Sequence, residues 1–278
     1  MSLREYIRRF PLVHKPISLF FYFFVYPFCN GYYLFMIRYF FCIRNSEIKA
    51  LQQYGFINVR PFKSRTWRLG LEKDRAYRRY YLCCYKGEKC FIKVAQNDST
   101  IGNEIFVAEK LIGRDVPFIP KIISFDKNFD KDKQMLATSF VKGLHPISRE
   151  SVYNDVETVS GNKLIEYCAQ MLNILQSLEA LQLVHADIHK GNLVLDDRDR
   201  LILLDFGISK FLNVDNNVQY GCRPGTFFKD TACGRVYDDA YSFIKLIGRY
   251  DSCKEIVDSL AYKAICERIG KVTFTVKV

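Results

Sequence analysis

Two short apolar runs, 193–195 and 201–204, flank the polar stretch DDRDR at 196–200. Runs of this length on either side of a turn signal read as two buried strands of a hairpin. A hairpin sets its outer ends side by side. Asn192 and Asp205 are therefore expected to emerge together, with Asp187 in the loop before and Gly207 permitting a sharp turn after. Upstream, 67–71, 77–85 and 89–94 read as strands, the last two joined at Lys86-Gly87, and 119–125 and 134–141 as two more. Ile105, Phe106, Ala108, Leu111 and Ile112 mark a helical stripe over 103–112. A longer helix is predicted over 162–183, with Leu164, Cys168, Met171, Leu175 and Leu178 on its buried face. Residues 46–66 are mixed and 208–236 irregular. Strands up to 141 followed by helices give an α+β reading.

The N-terminal stretch stands apart. Residues 17–37 carry no charged side chain, a length that could span a bilayer. Pro27, Asn30 and Gly31 divide the stretch into two shorter halves, and both flanks are basic. A single crossing would translocate one basic flank, whereas an interfacial or re-entrant pair keeps both against anionic lipid on the cytoplasmic face. The alternative is a helical extension packed on the rest of the chain. Segment 1–50 is accordingly read as a membrane-associating extension, and 51–278 as the folded domain.

Composition sharpens this. The chain has 278 residues, 49% hydrophobic and 15% aromatic, which excludes a disordered protein. Residues 1–80 hold 15 Lys and Arg against 4 Asp and Glu, so the whole +11 surplus lies at one end. That argues for a local anionic surface, and no nucleic-acid partner is expected. Ten Cys without C-x-x-C or zinc-like spacing read as reduced, mostly buried thiols.

The chemistry sits around the hairpin. Three oxygen-bearing side chains, Asp187, Asn192 and Asp205, converge on one edge. They suit a Mg²⁺ that takes its other ligands from phosphate and water, with one carboxylate left for proton work. His185-x-Asp187-x-x-x-x-Asn192, followed by Asp205-Phe206-Gly207, resembles the catalytic loop and metal-binding triplet of the protein-kinase-like superfamily. The resemblance implies a two-lobed fold: a small antiparallel-sheet N-lobe (51–142), a nucleotide cleft, and a truncated helical C-lobe (143–278). It implies ATP and Mg²⁺ as cofactors, Asp187 and Asn192 as catalytic residues, and Asn192 and Asp205 as metal ligands. FIKVA resembles the strand whose Lys, here Lys93, pairs the nucleotide phosphates. Glu104, in preference to Glu109, would meet that Lys. SFVKG resembles the hinge, where backbone groups of Ser139 to Val141 would pair the adenine edge. The Gly-rich loop over the phosphates is absent, with only Gly70 in its place and Lys73, Arg75 or Arg78 as possible helpers. In DDAYSFIKLI, Asp239 would tie down the catalytic-loop backbone.

The acceptor is read from departures within this family. Two residues after Asp187 stands His189 where protein Ser/Thr kinases carry Lys, and no A-P-E triplet follows. H-x-D-x-H-x-G-N is similar to the loop of aminoglycoside and choline kinases and of bacterial lipopolysaccharide-core sugar kinases. With the aromatic, basic N-terminus, the first expectation is a saccharide hydroxyl on a membrane glycolipid. The second is a protein serine/threonine. A catalytically weak pseudokinase acting as a membrane scaffold is the reading from another class.

Overall fold

A computed structural model describes residues 37–62, 78–96, 98–114, 116–130, 133–141, 145–146, 161–189, 191–214, 229–231, 234–248 and 254–276. A π-helical turn (Tyr39–Ile43) leads into α1 (Arg44–Gln53), β1 (Ile57–Pro61), β2 (Arg79–Tyr85) and β3 (Glu88–Gln96). Then come α2 (Ser99–Leu111), β4 (Ile122–Phe129), β5 (Lys133–Ser139), β6 (His145–Pro146), α3 (Gly161–Ala180) and β7 (Leu183–Val184). The remainder is β8 (Leu193–Leu195), β9 (Leu201–Leu203), β10 (Lys210–Phe211), β11 (Lys229–Thr231), β12 (Gly234–Asp238), α4 (Asp239–Ile247), α5 (Lys254–Val257), α6 (Leu260–Cys266) and β13 (Thr273–Val276). The chain divides into two units. One contains the residues up to Gln96 with Asn128–Met135, the other Asn97–Lys127 with Leu136–Val278.

In the first unit β1, β2 and β3 form an antiparallel meander, and the sheet order continues to β5 and β4, whose ends at 128–135 belong here. Lys86 and Gly87 both take positive φ (49° and 84°) in the two-residue β2–β3 connection. That backbone matches the twist of the strands it joins, and Gly adopts it freely. Along β3, Cys90, Ile92 and Val94 are buried, the period-2 signature of one covered face. Helix α1 closes at Gly55 (φ 87°), and the Phe56 amide reaches back to the Leu51 carbonyl.

Helix α1 packs through a charged side chain. Glu47 is fully buried and accepts from Arg79 Nε (3.1 Å) and from the Tyr81 hydroxyl (2.5 Å). Arg79 Nη2 also pairs with it, and Lys133 Nζ lies 3.1 Å away. The buried Tyr39 hydroxyl donates to that of Tyr81 at 3.1 Å. Lys133 in turn meets Asp130 at 2.6 Å, so two carboxylates face two cations. The sequence boundary drawn at residue 50 thus falls inside a helix whose buried residues belong to this unit, and the mixed stretch 46–66 contains both α1 and β1.

In the second unit, α3 presents Leu164, Cys168, Met171, Leu175 and Leu178 to a core shared with Phe206, Phe243 and Ile265. The helix ends at Ala180, three residues before its predicted end, and Gln182 turns in the left-handed region (φ 52°). Helix α2 begins one turn earlier than its apolar stripe predicts, because Asp98 caps it by accepting from the amides of Thr100 and Ile101. The stretch 208–236, irregular by sequence, includes β10, β11 and part of β12. The last two form a three-stranded antiparallel sheet with β13. The 67–71 strand, residues 17–36 of the apolar segment and Gly70 lie outside the described residues. Among the described residues, no helix is long and apolar enough to cross a membrane.

Candidate active site

The predicted hairpin is present. β8 and β9 pair antiparallel, Leu193 opposite Leu203, and the Leu204 amide donates to the Asn192 carbonyl at 2.8 Å. Asn192 and the residue before Asp205 are therefore cross-strand neighbours. Asp196 fixes the turn by accepting from the amides of Arg198 and Arg200, each at 2.9 Å, and from Arg200 Nε at 2.8 Å. Burial opposes its charge, yet these donors together hold its pKa below the ordinary carboxylate value. Leu193, Leu201 and Leu203 sink into the core, so the site end of the hairpin stands on packed apolar side chains.

Asp187 is 2% exposed. The Asn192 side-chain amide donates both to its carbonyl (3.1 Å) and to its carboxylate Oδ2 (3.0 Å), which leaves the Asn192 amide oxygen for another partner. His189 Nε2 stands 3.6 Å from the other carboxylate oxygen, Oδ1. The loop backbone is fastened by Asp239, the role that the resemblance of its segment implies. The Asp239 carboxylate accepts from the His185 amide at 2.7 Å and the Ala186 amide at 2.9 Å. Burial pushes the Asp239 pKa up to about 7, against the downward pull of those two amides and with added repulsion from Asp238 and Asp187. His185 is fully buried between the Asp187 amide (3.3 Å to Nδ1) and the Leu204 carbonyl (3.0 Å from Nε2), with its ring edge-on to Phe206.

Two non-glycine residues here occupy the left-handed region, Ala186 at φ 66° and Asp205 at φ 61°. Such conformations cost on the order of 1 kcal/mol and persist where surrounding contacts impose them, commonly at functional sites. At Asp205 those contacts are visible. The Gly207 amide donates to Asp205 Oδ1 at 3.3 Å, and Gly207 itself passes so close to α2 that a β-carbon there would meet Thr100 Cβ at 3.0 Å.

The sequence missed what holds this loop to α2. The Asn103 side-chain amide donates to the Phe206 carbonyl (3.1 Å) and the Ser209 carbonyl (2.8 Å), and the Ser209 hydroxyl donates to the His185 carbonyl at 3.0 Å. No local pattern marks Asn103. The Asp98-Ser-Thr cap, by contrast, is a legible helix start. Glu104 is buried on α2, whereas Glu109 pairs with Lys127 at 2.8 Å on the surface. Lys93 lies in the first unit on β3, opposite Tyr80 and on the face away from Cys90, Ile92 and Val94. The Ser139 amide donates to the Lys121 carbonyl at 2.8 Å, and the Ser139 hydroxyl accepts from the Lys121 amide at 2.9 Å. The Ser139 N–H is thus engaged by the sheet, which narrows the adenine-pairing expectation to the groups beyond it up to Val141. Of the helpers named for the phosphates, Arg78 is buried, and Lys73 and Arg75 lie outside the described residues.

The donor set fits Mg²⁺ held partly by phosphate: the Asn192 amide oxygen and the Asp205 carboxylate are hard oxygen donors that leave most positions open. Among the described residues there is no cluster of three or more His, Cys, Asp or Glu that could hold a metal by itself.

A family model described as "ABC1 atypical kinase-like domain" matches residues 118–222. The probable serine/threonine-protein kinase samkC of Dictyostelium discoideum is 33% identical over 124 residues, which is 44% of this chain and 13% of that protein. A second probable serine/threonine-protein kinase of the same organism is 26% identical over 161 residues, 53% of this chain and 34% of its own length. Serine/threonine-protein kinase dst1, also from Dictyostelium discoideum, is 29% identical over 90 residues, 32% of this chain and 12% of that protein. The matches therefore span about a third or less of these relatives.

Proposed function

Because this chain belongs to the protein-kinase-like superfamily, we propose that it transfers the terminal phosphoryl group of ATP to a hydroxyl acceptor. The observation that supports this is one hairpin end that sets Asn192 across from the residue before Asp205 and beside the buried carboxylate of Asp187, an arrangement that suits Asn192 and Asp205 to donate to a metal. Bound Mg²⁺ would neutralise phosphate charge and align the nucleotide. Asp187 orients the acceptor hydroxyl and takes its proton. Asn192 serves two partners, steadying Asp187 through its NH₂ and turning its oxygen to the metal. Lys93 and Glu104 are proposed for the phosphate side, on the resemblance of their segments alone.

Two acceptors are proposed. A saccharide hydroxyl of a membrane glycolipid is supported by His189 in place of Lys and by the missing A-P-E triplet. A protein serine or threonine is supported by the names of the relatives. Radiolabelled ATP offered with a glycolipid fraction and with a mixed protein substrate separates the two by which product carries label.

The site itself is tested by two variants that should fail differently. Asp205→Ala removes a metal ligand, so nucleotide affinity in Mg²⁺ should fall. Asp187→Ala leaves the metal donors in place, so affinity should persist while turnover drops about 10²–10⁴-fold. Calorimetric titration of both variants with Mg·ADP decides: equal affinity in wild type and Asp205→Ala contradicts the assignment. Failure of the wild type to bind nucleotide leaves the scaffold reading.

A further inference from the structure

Asp238, next to the residue that fastens the catalytic loop, has no role in the reading above. It is buried, and its carboxylate serves two segments. Oδ1 accepts the Tyr241 amide at 2.9 Å and caps α4, while Oδ2 accepts the Gly270 amide at 2.7 Å. Asp238 also stands opposite Thr273 in the sheet, so β12 and β13 hold the same segment a second time. Arg268, just before Gly270, pairs through Nη1 with Glu179 near the end of α3. Gln182 turns the chain there, its amide donating to the Glu179 carbonyl at 3.0 Å, and β7 then leads into His185. Residues 268–273 thus reach both supports of the catalytic loop: the end of α3 that enters it, and the start of α4 that accepts its amides. Between the two ties lies a partly open pocket, lined by Leu178, Glu179, Asp239, Arg268 and Lys271 among others. Arg268 Nε is buried with no acceptor among the described residues. The ties span a gap, so the segment bears on the loop through these few polar contacts.

We infer that segment 268–273 is a latch on the catalytic loop: through Asp238 and Arg268 it holds the start of α4 against the end of α3, and so fixes where Asp187 stands. Asp238 and Arg268 are positioning residues and touch no substrate. The effect on turnover rests on the phosphotransfer reading; the hold on the loop does not. The hairpin that carries Asn192 and Asp205 has separate fastenings. Gln170 spans its turn, with Nε2 donating to the Asp199 carbonyl at 3.1 Å and Oε1 accepting the Leu201 amide at 2.8 Å, and Lys163 meets Asp199 at 2.6 Å. The proposed metal donors and the proposed base are thus supported from different places. Loosening the latch lets Asp187 drift while the hairpin stays, so turnover falls and nucleotide affinity does not. A drift of about 1 Å is enough, because proton transfer needs its heavy atoms within about 2.6–3.2 Å.

The test uses the full chain. Amide hydrogen exchange compares His185 and Ala186 in the loop with Leu201 and Leu203 in the hairpin. Asp238→Asn leaves one oxygen for two amides. Arg268→Glu sets two carboxylates against each other, and Glu179→Arg with Arg268→Glu restores the pair in the opposite sense. These two side chains are 20% and 38% exposed, so the exchange of charges buries none. In Asp238→Asn and Arg268→Glu, exchange at His185 and Ala186 should rise about tenfold while Leu201 and Leu203 keep their protection, and the double variant should return toward wild type. Phosphate release from Mg·ATP with water as acceptor should fall about tenfold in both single variants, the scale of one hydrogen bond to a charged group. Mg·ADP affinity by calorimetry should match wild type. An equal rise at Leu201 and Leu203 reports a general loss of stability and overturns the latch. Unchanged exchange at His185 and Ala186 overturns it too, as does a double variant no better than Arg268→Glu. A loosened loop with undiminished phosphate release overturns the hold on Asp187 while leaving the kinase reading intact. Absence of phosphate release in the wild type counts against the kinase reading alone, and exchange then decides the latch.

Discussion

His185 has both ring nitrogens assigned by its surroundings: Nδ1 accepts the Asp187 amide, so Nε2 carries the proton and donates to the Leu204 carbonyl. Protonating Nδ1 would set N–H against N–H in a fully buried position, and burial holds the pKa below the ordinary 6.5 despite the pull of Asp187 and Leu204. The folded state then binds fewer protons than the unfolded chain below pH 6.5. The stability His185 contributes is therefore complete above that value and is lost as pH falls toward the lowered folded pKa. Asp239 works the other way. Its pKa is raised from 3.8 to about 7, so its contribution is complete below the lower value and is lost as pH rises to the upper one. The two slopes oppose each other, and a difference measurement isolates one. In urea unfolding at several pH values, His185→Gln should be less stable than wild type at pH 7.5, and the gap should narrow as pH falls from 6.5 to 5. A constant gap would contradict the neutral assignment. The residues of this site were legible to different degrees. Asp187, Asn192, Asp205 and Asp239 belong to spaced motifs, whereas Asn103 and Ser209 act on backbone carbonyls distant in sequence and carry no motif.

At the scale of elements, local pattern worked where burial is apolar and failed where it is polar. The hairpin β8–β9 and helix α3 bury leucines at regular spacing, and both were read correctly apart from their ends. Helix α1 buries Glu47 and Leu51, so half of its inward face is charged and no hydrophobic stripe appears. Strand β1 follows it with mostly exposed residues and was missed for the same reason. The start of α2 was missed by a turn because its first residues are polar and its signal is the Asp98 cap. The buried cluster on α1 makes its own prediction. Removing one member leaves Arg79 and the Tyr81 hydroxyl without their acceptor away from water, the case in which a broken buried pair costs about 3–5 kcal/mol. Glu47→Ala should therefore lower the denaturation midpoint markedly, and Glu47→Gln, which keeps an acceptor but no charge, should fall between. A loss below 1 kcal/mol in Glu47→Ala would mean that α1 is not held by this cluster.

At the scale of the whole chain, the same cluster decides where an N-terminal deletion can be made. Tyr39 is 1% exposed and donates to Tyr81, so a cut that removes it takes a large core side chain, a change that typically costs about 3–5 kcal/mol. Deleting residues 1–36 spares Tyr39; deleting 1–45 does not. We propose that the apolar, basic N-terminus holds the protein to an anionic membrane surface. Ile37, which ends the apolar run, and Phe41, just beyond it, are 53% and 81% exposed, beside Arg38 and Arg44. Two forces of different character would then act. Burial of aromatic surface in the interface is insensitive to salt. Attraction of Lys and Arg to anionic headgroups is worth roughly 1 kcal/mol per well-placed residue and is screened within a Debye length. The full chain should therefore sediment with phosphatidylserine-containing vesicles and be released only in part by high salt. The 1–36 deletion should remain in the supernatant at any salt while keeping its unfolding transition and Mg·ADP affinity, because Tyr39 and Glu47 are retained. The 1–45 deletion should lose stability whether or not vesicles are present. Two results would sink the proposal: full-length protein that stays in solution with anionic vesicles, or a 1–36 deletion that aggregates, which would assign the N-terminal aromatics to covering the protein itself.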